Sequence, residues 1–338
     1  MKSHFPATFV QLPSETEGRR AAFYLAAEEY IADALPQGSY FFTWQIPPTV
    51  VMGRNQVMHQ EIDLDFCRNE GIDVIRRRSG GGAIFADEGN IMTSLITEFC
   101  PVEPLFHEYA EAVAEALRSL GAPAQVSGRN DITLEENGGK ICGNAFYQKT
   151  DRCIAHGTML YDTNPRLMEG ALHPDLLKLK QKGVKSVRSR VGLLKDYLSA
   201  IDVRTLREKL RTLLCDRTVA LTDEDVRHIE QLEQRYYQPD YLYGSSAHAD
   251  IIRRQRIEGC GTVELHISLS GSLILDVSPA GDYFCLGDAD TAFRNTFTGL
   301  PFTPDRLTQA IRQHHPESCI RGLTEEALIG LLIGKELS

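Results

Sequence analysis

Residues 128–161 read GRNDITLEENGGKICGNAFYQKTDRCIAHGTMLY. This stretch contains three strand-like runs joined by short polar turns: DITLE (131–135), KICGNAFYQ (140–148) and CIAHGTMLY (153–161). Consecutive strands with links this short pair antiparallel, because a parallel crossover needs a dozen or more residues. The stretch therefore predicts an α+β protein with a mixed, mainly antiparallel sheet, and it argues against a doubly wound parallel sheet.

The segments before this stretch predict further strands and the helices that flank the sheet. Apolar residues recur at helical spacing in residues 19–35 and 107–121, and Gly121 suits a helix C-terminal cap. Strand-like runs lie between these two helices, at residues 40–46, 72–77 and 91–99. We therefore expect one helix before and one helix after these strands to cover the sheet.

The last third of the chain predicts a second, smaller α+β domain. Helical spacing continues through residues 205–214 and after Thr222, until QPDYLYGSSAHAD (238–250) interrupts it with proline, glycine and serine. Beyond this break, residues 262–278 alternate about a Ser-Gly turn as in a hairpin, and helical stretches follow at 305–314 and 324–333. The predicted domains are residues 1–245 and 250–338.

Composition excludes several classes of protein. The 338 residues favour two domains, and the net charge of -10 argues against sequence-independent nucleic-acid binding and against docking on an anionic membrane. The start resembles no signal peptide and no apolar run is long enough to cross a bilayer, so we expect a cytoplasmic protein. The eight cysteines form no C-x-x-C pair and no two histidines have i, i+4 spacing, so no metal site is predicted.

The stretch RRRSGGGAIFADEGN (76–90) concentrates arginines, a serine and three glycines directly after a strand-like run. Consecutive glycines are costly to order, so a bare backbone is expected to serve a purpose there. Backbone N–H groups beside cationic side chains indicate anion binding, although a tight turn with solvated arginines would give the same sequence. The stretch is neither a P-loop nor a dinucleotide-binding turn, because the glycine spacing of both differs.

Lys140 lies between a double glycine and a strand of small residues, where a compact ammonium group could reach a phosphate or a carboxylate. An exposed hairpin lysine would have the same sequence context. His156 could likewise be a structural histidine with its hydrogen bonds satisfied, and Asp131 could cap a turn. The residues taken singly leave these alternatives open.

The order of these motifs resembles the lipoate–protein ligase family of the biotin and lipoate ligase superfamily. The resemblance rests on RRRSGGGAIF, DEGN, GRND, GGKICGNAF, HGTML and SVRSRV (186–191), and continues more weakly through GDYF (281–284). It implies a ligase-like catalytic domain with a C-terminal accessory domain. It further implies that ATP, with Mg²⁺, activates free lipoate to lipoyl-AMP, and that the lipoyl group passes to a lysine of carrier domains in 2-oxoacid dehydrogenase E2 subunits or the glycine cleavage H protein.

The resemblance also assigns roles to residues of this chain. Lys140 is expected to contact both the α-phosphate of ATP and the acyl carbonyl, and Asp131 to attract the incoming lysine ammonium. Further ATP contacts are expected from Arg77, Gly82, Ala83, Ile84 and Phe85, and further lipoate contacts from Ser79, Gly81 and His156. Residues 182–186, KGVKS, are expected to form a mobile loop that closes over the adenylate and excludes water.

The chain departs from the family pattern at several positions. After the glycines, the usual His-Asp pair reads Ala86 and Asp87, and the usual HHGT reads AHGT with Ala155. The usual K-x-S-G-S-A-[FY]-R reads KICGNAFY, so that serine, serine and arginine are replaced by Cys142, Asn144 and Tyr147. The resemblance implies that these positions lie near the acyl and carrier-lysine sites, so the acyl preference is the property that they would alter.

Two other functions compete with the ligase. The sequence C-x-x-H-G at residues 153–157 resembles the nucleophile strand of octanoyltransferases, in which a thiolate beside a lysine would carry the acyl group without ATP. The arginine- and serine-containing glycine stretch, GRND and the second domain favour the ligase instead. A non-catalytic homologue is expected to have lost Lys140 or Arg77, and both are present.

Overall fold

The computed structural model describes residues 7–128, 130–173, 191–243 and 249–334. The loop predicted at 182–186 lies outside the described residues, as do Arg129 and part of the break predicted at 238–250. The chain divides into two compact units. One comprises the described residues of 1–51, 59–76 and 83–242, and the other those of 52–58, 77–82 and 243–338.

The strands of the described residues include the three runs that decided the fold prediction. The strands are β1 (Ala7–Gln11), β2 (Tyr40–Trp44), β3 (Thr49–Met52), β4 (Asp73–Arg76), β5 (Ile84–Ala86), β6 (Asn90–Glu98), β7 (Ala124–Ser127), β8 (Asp131–Leu134), β9 (Lys140–Gln148), β10 (Arg152–Leu160), β11 (Cys215–Ala220), β12 (Ile251–Ile257), β13 (Gly261–Ser270) and β14 (Leu273–Gly281).

Six of the helices in the described residues were predicted. Five of them begin within two residues of the predicted start, the one predicted at 107–121 begins five residues earlier, and the other five helices were not predicted. The helices are α1 (Ala21–Ala34), α2 (Met58–Glu61), α3 (Leu64–Glu70), α4 (Val102–Leu120), α5 (Pro165–Ala171), α6 (Val203–Leu214), α7 (Asp223–Glu233), α8 (Pro239–Tyr243), α9 (Ala289–Phe297), α10 (Pro304–His314) and α11 (Glu325–Ile333). Short 3₁₀ turns lie at Ser14–Thr16, Leu194–Asp196, Gln234–Tyr237 and Pro316–Cys319.

The first unit is built on an eight-stranded sheet in the order β11-β1-β2-β6-β10-β9-β8-β7. β1 pairs parallel with β2 and with β11, and every other neighbouring pair of this sheet is antiparallel. A three-stranded sheet in the order β4-β3-β5 accompanies it. The predicted mixed, mainly antiparallel sheet is therefore confirmed.

The two faces of the large sheet are covered by different helices. On one face, α1 packs against side chains of β2, β6, β9 and β10, including Trp44, Met92, Tyr147 and Ile154. On the other face, Tyr109 of α4 donates a hydrogen bond to Thr93, and the rings of Phe106 and Phe146 lie 5.1 Å apart. We call these the α1 face and the α4 face. Since side chains alternate along a strand, neighbouring residues of β9 and β10 belong to opposite faces.

Local sequence explains why α1 is buried and where α4 begins and ends. α1 is rich in alanine and buried over most of its length, which suits a helix lying between other elements. α4 begins five residues before its predicted start, at Val102, because Pro104 falls in the first turn, where its missing N–H costs no helix hydrogen bond. It ends at Gly121, which has a left-handed backbone with φ of 108°.

The second unit has its own sheet, in the order β12-β13-β14, and its own core. The predicted hairpin is present as β13 and β14, which pair antiparallel from Val263 and Gly281 to Ser270 and Leu273. Apolar side chains of these strands pack against α9, α10 and α11. The unit also includes residues 52–58 and 77–82, so it is discontinuous in sequence, and the division at residues 245–250 stays a prediction.

Candidate active site

Lys140 and Asp131 form an ion pair in which Lys140 Nζ lies 2.8 Å from Asp131 Oδ1. The two side chains are partly buried, with exposed fractions of 30% and 18%. Gly143 makes this arrangement possible, because a Cβ atom at that position would lie 2.4 Å from Lys140 Nζ. The structure thus brings together the two residues that were predicted to be catalytic, with the ammonium group resting on the backbone of β9.

A β-bulge turns Lys140 toward Asp131. Asp131 pairs with Gly143 and Ile132 with Cys142, but Thr133 pairs with Lys140, so that Ile141 is the extra residue on β9. Without the bulge, Lys140 would share the α4 face with Cys142, because the two residues are two positions apart. The bulge instead places its side chain on the α1 face, where Gly143 lies opposite Thr158.

The backbone of Lys140 is held on its other side as well. Its carbonyl oxygen accepts a hydrogen bond of 2.9 Å from the N–H of Gly192, and Lys140 forms a parallel bridge with Val191. These contacts and the pairing with Thr133 fix the start of β9 between two neighbours. Lys140 is therefore held at its backbone by these contacts and at its ammonium group by Asp131. Charge stabilisation in a transition state requires such preorganisation.

Arg77 stabilises the glycine-rich segment from within. Its Nε donates to Ser79 Oγ at 2.9 Å, and one terminal nitrogen donates to the carbonyl oxygens of Gly80 and Gly82 at 2.7 and 2.8 Å. The side chain is buried, and so is that of Arg76, whose Nε donates to the carbonyl of Leu242. Burial lowers the pKa of Arg76 to about 10. A turn with solvated arginines is therefore wrong for these two residues, and the predicted contact of Arg77 with ATP stays a prediction.

The glycines of this segment are required by packing inside the second unit. A Cβ atom on Gly80 would lie 2.1 Å from the carbonyl oxygen of Tyr283, and one on Gly53 would lie 2.0 Å from that of Gly81. Gly81 has a φ of 85°, and its N–H donates to the Tyr283 oxygen at 2.9 Å. The backbone at Gly53 and at Gly80 therefore lies against other backbone of the same unit, with no room for a side chain. This packing requires glycine at both positions whether or not a nucleotide binds there.

The residues after the glycines form a strand. Ile84 and Phe85 belong to β5 and pair with Val51 and Val50 of β3, and Ala83 directly precedes that strand. Their predicted contacts with ATP stay predictions, as do the lipoate contacts of Ser79 and Gly81. Asp87 is buried and accepts hydrogen bonds from the N–H groups of Gly89 and Asn164, and burial raises the pKa of its carboxyl group.

His156 lies in a buried polar network on the α1 face. Its Nδ1 is 3.0 Å from both carboxylate oxygens of Glu28, a side chain with no exposed surface. Glu28 also accepts a hydrogen bond from Ser94 at 2.6 Å, and Trp44 donates to Ser94 at 2.9 Å. The structure thus shows a histidine with a carboxylate partner. Its predicted contact with lipoate stays a prediction.

Sequence reasoning missed Glu28, Ser94 and Trp44 because they lie on three other elements. The available signal was the pair Glu28–Glu29 in the middle of an otherwise alanine-rich and apolar helix. A buried carboxylate needs partners, so an acidic pair at such a position predicts a buried polar contact, although not the identity of the partner. Glu29 finds a different partner, accepting a hydrogen bond of 2.6 Å from Tyr236.

Cys153 lies on the α4 face, whereas Lys140 lies on the α1 face. The thiol is 1% exposed and donates to the carbonyl oxygen of Cys100 at 3.3 Å. Burial, and then the neighbouring Cys153, raise the pKa of the Cys100 thiol to about 11. The competing transferase would need a thiolate beside the lysine, and the structure does not provide that arrangement, because the sheet separates Cys153 from Lys140.

The departures from the family pattern divide between the two faces. Cys142, Asn144 and Ala155 lie on the α4 face, and burial raises the pKa of the Cys142 thiol to about 12. Tyr147 lies on the α1 face, with its ring centroid 6.3 Å from that of His156. Of these four, Tyr147 alone shares a face with Lys140 and His156, and an effect of these positions on acyl preference stays a prediction.

Metal-ligand clusters and membrane-spanning helices are both absent from the described residues. Within residues 7–128, 130–173, 191–243 and 249–334, no three His, Cys, Asp or Glu residues are grouped so as to hold a metal ion. In the same part of the chain, no helix is both long enough and apolar enough to span a bilayer.

Comparison with known proteins identifies the family. The sequence model of the lipoyl protein ligase A/B catalytic domain matches residues 20–214, and that of the bacterial lipoate protein ligase C-terminus matches residues 246–332. A probable lipoate-protein ligase A of Mycoplasma pneumoniae is 32% identical, over 79% of this chain and 81% of that protein. Lipoate-protein ligase LplJ of Bacillus subtilis is 31% identical, over 91% of this chain and 95% of that protein.

Solved structures share the fold. LipL1 of P. falciparum in complex with lipoate superposes with a TM-score of 0.75 at 19% identity, covering 91% of this chain and 94% of that chain. A lipoate-protein ligase A bound with ATP superposes with a TM-score of 0.59 at 23% identity, covering 71% of this chain and 99% of that chain. With a family model that matches more than half of its length, the chain belongs to the lipoate–protein ligase family of enzymes.

Proposed function

We propose that the protein is an ATP-dependent lipoate–protein ligase that converts free lipoate to lipoyl-AMP and then transfers the lipoyl group to a lysine of lipoyl carrier domains. The carriers we propose are 2-oxoacid dehydrogenase E2 subunits and the glycine cleavage H protein. Relatives named as lipoate ligases, and similar structures solved with lipoate and with ATP, support the substrates. A bi-partite ligase from Thermoplasma acidophilum, described with its E2 lipoyl domain, supports the class of acceptor.

The observation that carries this proposal is the ion pair of Lys140 and Asp131 above Gly143. In the first step, a lipoate carboxylate oxygen attacks the α-phosphorus of ATP and pyrophosphate leaves. One anion approaches another, so the step needs a fixed positive charge at the forming bond. The ammonium group of Lys140 supplies that charge, and Asp131 holds it in a single orientation.

In the second step, the ε-amine of the carrier lysine attacks the acyl carbonyl of lipoyl-AMP, AMP leaves, and the amine nitrogen loses a proton. Negative charge grows on the carbonyl oxygen and on the departing phosphate, which the same Lys140 ammonium stabilises. The carboxylate of Asp131 attracts the ammonium group of the incoming carrier lysine, which then loses a proton to become the attacking amine. Both steps therefore depend on one ion pair.

Mg²⁺ enters this proposal with ATP, as part of the substrate. Mg²⁺ keeps several waters and takes phosphate oxygens as ligands, so it needs one or two protein carboxylates at most rather than a protein cage. Bound to the phosphates, Mg²⁺ would neutralise charge on the nucleotide.

The test is lipoylation of a purified carrier domain by the purified protein with ATP, Mg²⁺ and lipoate, followed by intact-mass spectrometry. The proposal predicts a mass increase of one lipoyl group that disappears when ATP is omitted. A carrier domain whose acceptor lysine is replaced by arginine is the control and should stay unmodified. A mass increase that is equal with and without ATP would refute the proposal.

Cys153→Ser should retain most of the ATP-dependent transfer, because no thioester lies on the proposed route and the thiol lies on the α4 face. Serine has nearly the same size, so we expect a rate within about threefold of the parent and a stability change of at most about 1–2 kcal/mol. Transfer rates to a carrier domain, with and without ATP, measure this. Acyl groups found on Cys153 without ATP, together with an inactive serine variant, would establish the thioester transferase instead.

A further inference from the structure

Asn144 and Asn130 hold each other at the end of the pairing between β8 and β9. The backbone N–H and the side-chain Nδ2 of Asn144 both donate to the carbonyl oxygen of Asn130, at 2.9 and 3.0 Å. In return, Nδ2 of Asn130 donates to the carbonyl oxygen of Asn144 at 2.6 Å. Three hydrogen bonds, two of them made by side-chain amides, therefore join these two asparagines. We call this arrangement the asparagine clamp.

The clamp adjoins the ion pair along the strand. The next pair of residues in the ladder is Asp131 and Gly143, and Lys140 Nζ lies over Gly143. Asn144 points to the α4 face, while Asp131, one residue after Asn130, points to the α1 face. The clamp therefore lies directly beside Asp131 along the strand pair, with the Asn144 side chain on the opposite side of the sheet.

Gly157 leaves the space that the Asn144 side chain occupies. A Cβ atom on Gly157 would lie 2.4 Å from Asn144 Oδ1 and 2.9 Å from Thr93 Oγ1. The same Oδ1 atom accepts a hydrogen bond of 3.5 Å from the Cys142 thiol. Asn144 is almost fully buried, so its amide has a fixed setting rather than a mobile one. The Asn144 side chain is therefore closely constrained by its neighbours on the α4 face.

We propose that Asn144 is a positioning residue, which acts through Asn130 to fix Asp131 and thereby the ammonium group of Lys140. This inference rests on the proposed function, since it concerns the same ion pair. The amide of asparagine reaches the Asn130 carbonyl across the strand pair, which the single-atom hydroxyl arm of a serine does not. Loss of this side-chain hydrogen bond is expected to misplace the carboxylate of Asp131, although the two bonds to the backbone of residue 144 remain. Errors of about 1 Å in such groups cost about 100-fold in rate.

A double-mutant cycle tests the inference. Asn144→Ser and, separately, Asn130→Ala should each lower the rate of lipoyl-AMP formation by about 10- to 100-fold. In an Asp131→Asn background, either substitution should lower the rate by less than about twofold, because the group through which the clamp acts has already been removed. Additive losses in the double variants would overturn the inference, since they would show that Asn144 and Asn130 act independently of Asp131.

Tyr161→Phe is the control for a general loss of stability. Tyr161 lies in the same unit and donates a partly buried hydrogen bond to the carbonyl of Ile201. Removing that bond should lower the melting temperature about as much as Asn144→Ser does, because single hydrogen bonds contribute about 1 kcal/mol each. Its rate of lipoyl-AMP formation should stay at the parental value. A fall as large as that of Asn144→Ser would mean that destabilisation alone accounts for both, and the inference would be abandoned.

Hydrogen–deuterium exchange separates this inference from the proposed function. Asn144→Ser should accelerate exchange of backbone amides in residues 130–134 while leaving β1 and β2 at the parental rate. This result is expected whether or not the parent protein makes lipoyl-AMP. A parent that makes no lipoyl-AMP would contradict the proposed function, whereas unchanged exchange in residues 130–134 would contradict the clamp.

Discussion

Lys140→Ala should lower the rate of lipoyl-AMP formation by about 100- to 1000-fold, the loss typical of removing one preorganised charge or donor from a transition state. The reason is that Lys140 supplies the positive charge for both proposed steps, and Asp131 and Gly143 fix where that charge lies. The fold should be unaffected, with a stability change below about 1 kcal/mol, because the side chain is partly exposed. Single-turnover formation of lipoyl-AMP measures the effect.

Lys149→Ala is the matched control for this variant. Lys149 lies at the other end of the same strand, in the turn between β9 and β10, and also forms an ion pair with an aspartate, Asp33. Its removal takes the same charge from the protein but not from the proposed site, so lipoyl-AMP should form at the parental rate. Equal losses in the two lysine variants, or parental activity in Lys140→Ala, would withdraw Lys140 from the mechanism.

Gly80→Ala should lower both the stability of the second unit and the rate of lipoyl-AMP formation. The added Cβ would lie 2.1 Å from the backbone oxygen of Tyr283, and a backbone atom cannot move aside as the end of a flexible side chain can. Displacing residues 77–82 should cost about 1–3 kcal/mol, as overpacking does. The predicted nucleotide contacts of this segment should then be misplaced, with a rate lower by about 100-fold.

The control for Gly80→Ala is Gly287→Ala, in the same unit. A Cβ on Gly287 would lie 3.4 Å from the nearest atom, the thiol sulfur of Cys319, which is an ordinary contact. That variant should melt at the parental temperature and retain parental activity. Thermal melts and lipoyl-AMP formation should be measured on both. A Gly80→Ala protein with parental values would show that packing against Tyr283 does not position the glycine-rich segment.

Strand-like runs predicted the central sheet well because their signals are local. Residues 140–148 were predicted as a strand and form β9 with the same bounds, and the short polar turns on either side allowed only antiparallel pairing. The start of α4 was predicted five residues late, since Pro104 was not recognised as a first-turn proline. Proline disrupts the interior of a helix but is tolerated in the first turn, where Pro104 lies.

Contacts between distant parts of the chain were not predictable from one sequence. The motif around Gly80 indicated a need for bare backbone, but the partner at Gly80 is the Tyr283 carbonyl, about two hundred residues away in the chain. The bulge at Ile141 has no sequence signal beyond an unbroken strand-like run, yet it decides which face receives Lys140. Without the bulge, Lys140 would lie on the same face as Cys153, so the sequence suggested that the two could be neighbours. The bulge moves Lys140 to the α1 face, while Cys153 of β10 lies on the α4 face.

Release of pyrophosphate is the sharpest test of whether this protein uses ATP to activate lipoate. Purified protein, ATP and Mg²⁺ should be incubated with and without lipoate, in the absence of any carrier domain. We expect stoichiometric pyrophosphate and enzyme-bound lipoyl-AMP, both appearing only when lipoate is present. Acyl transfer to a carrier domain with no ATP and no lipoate-dependent release of pyrophosphate would contradict this expectation.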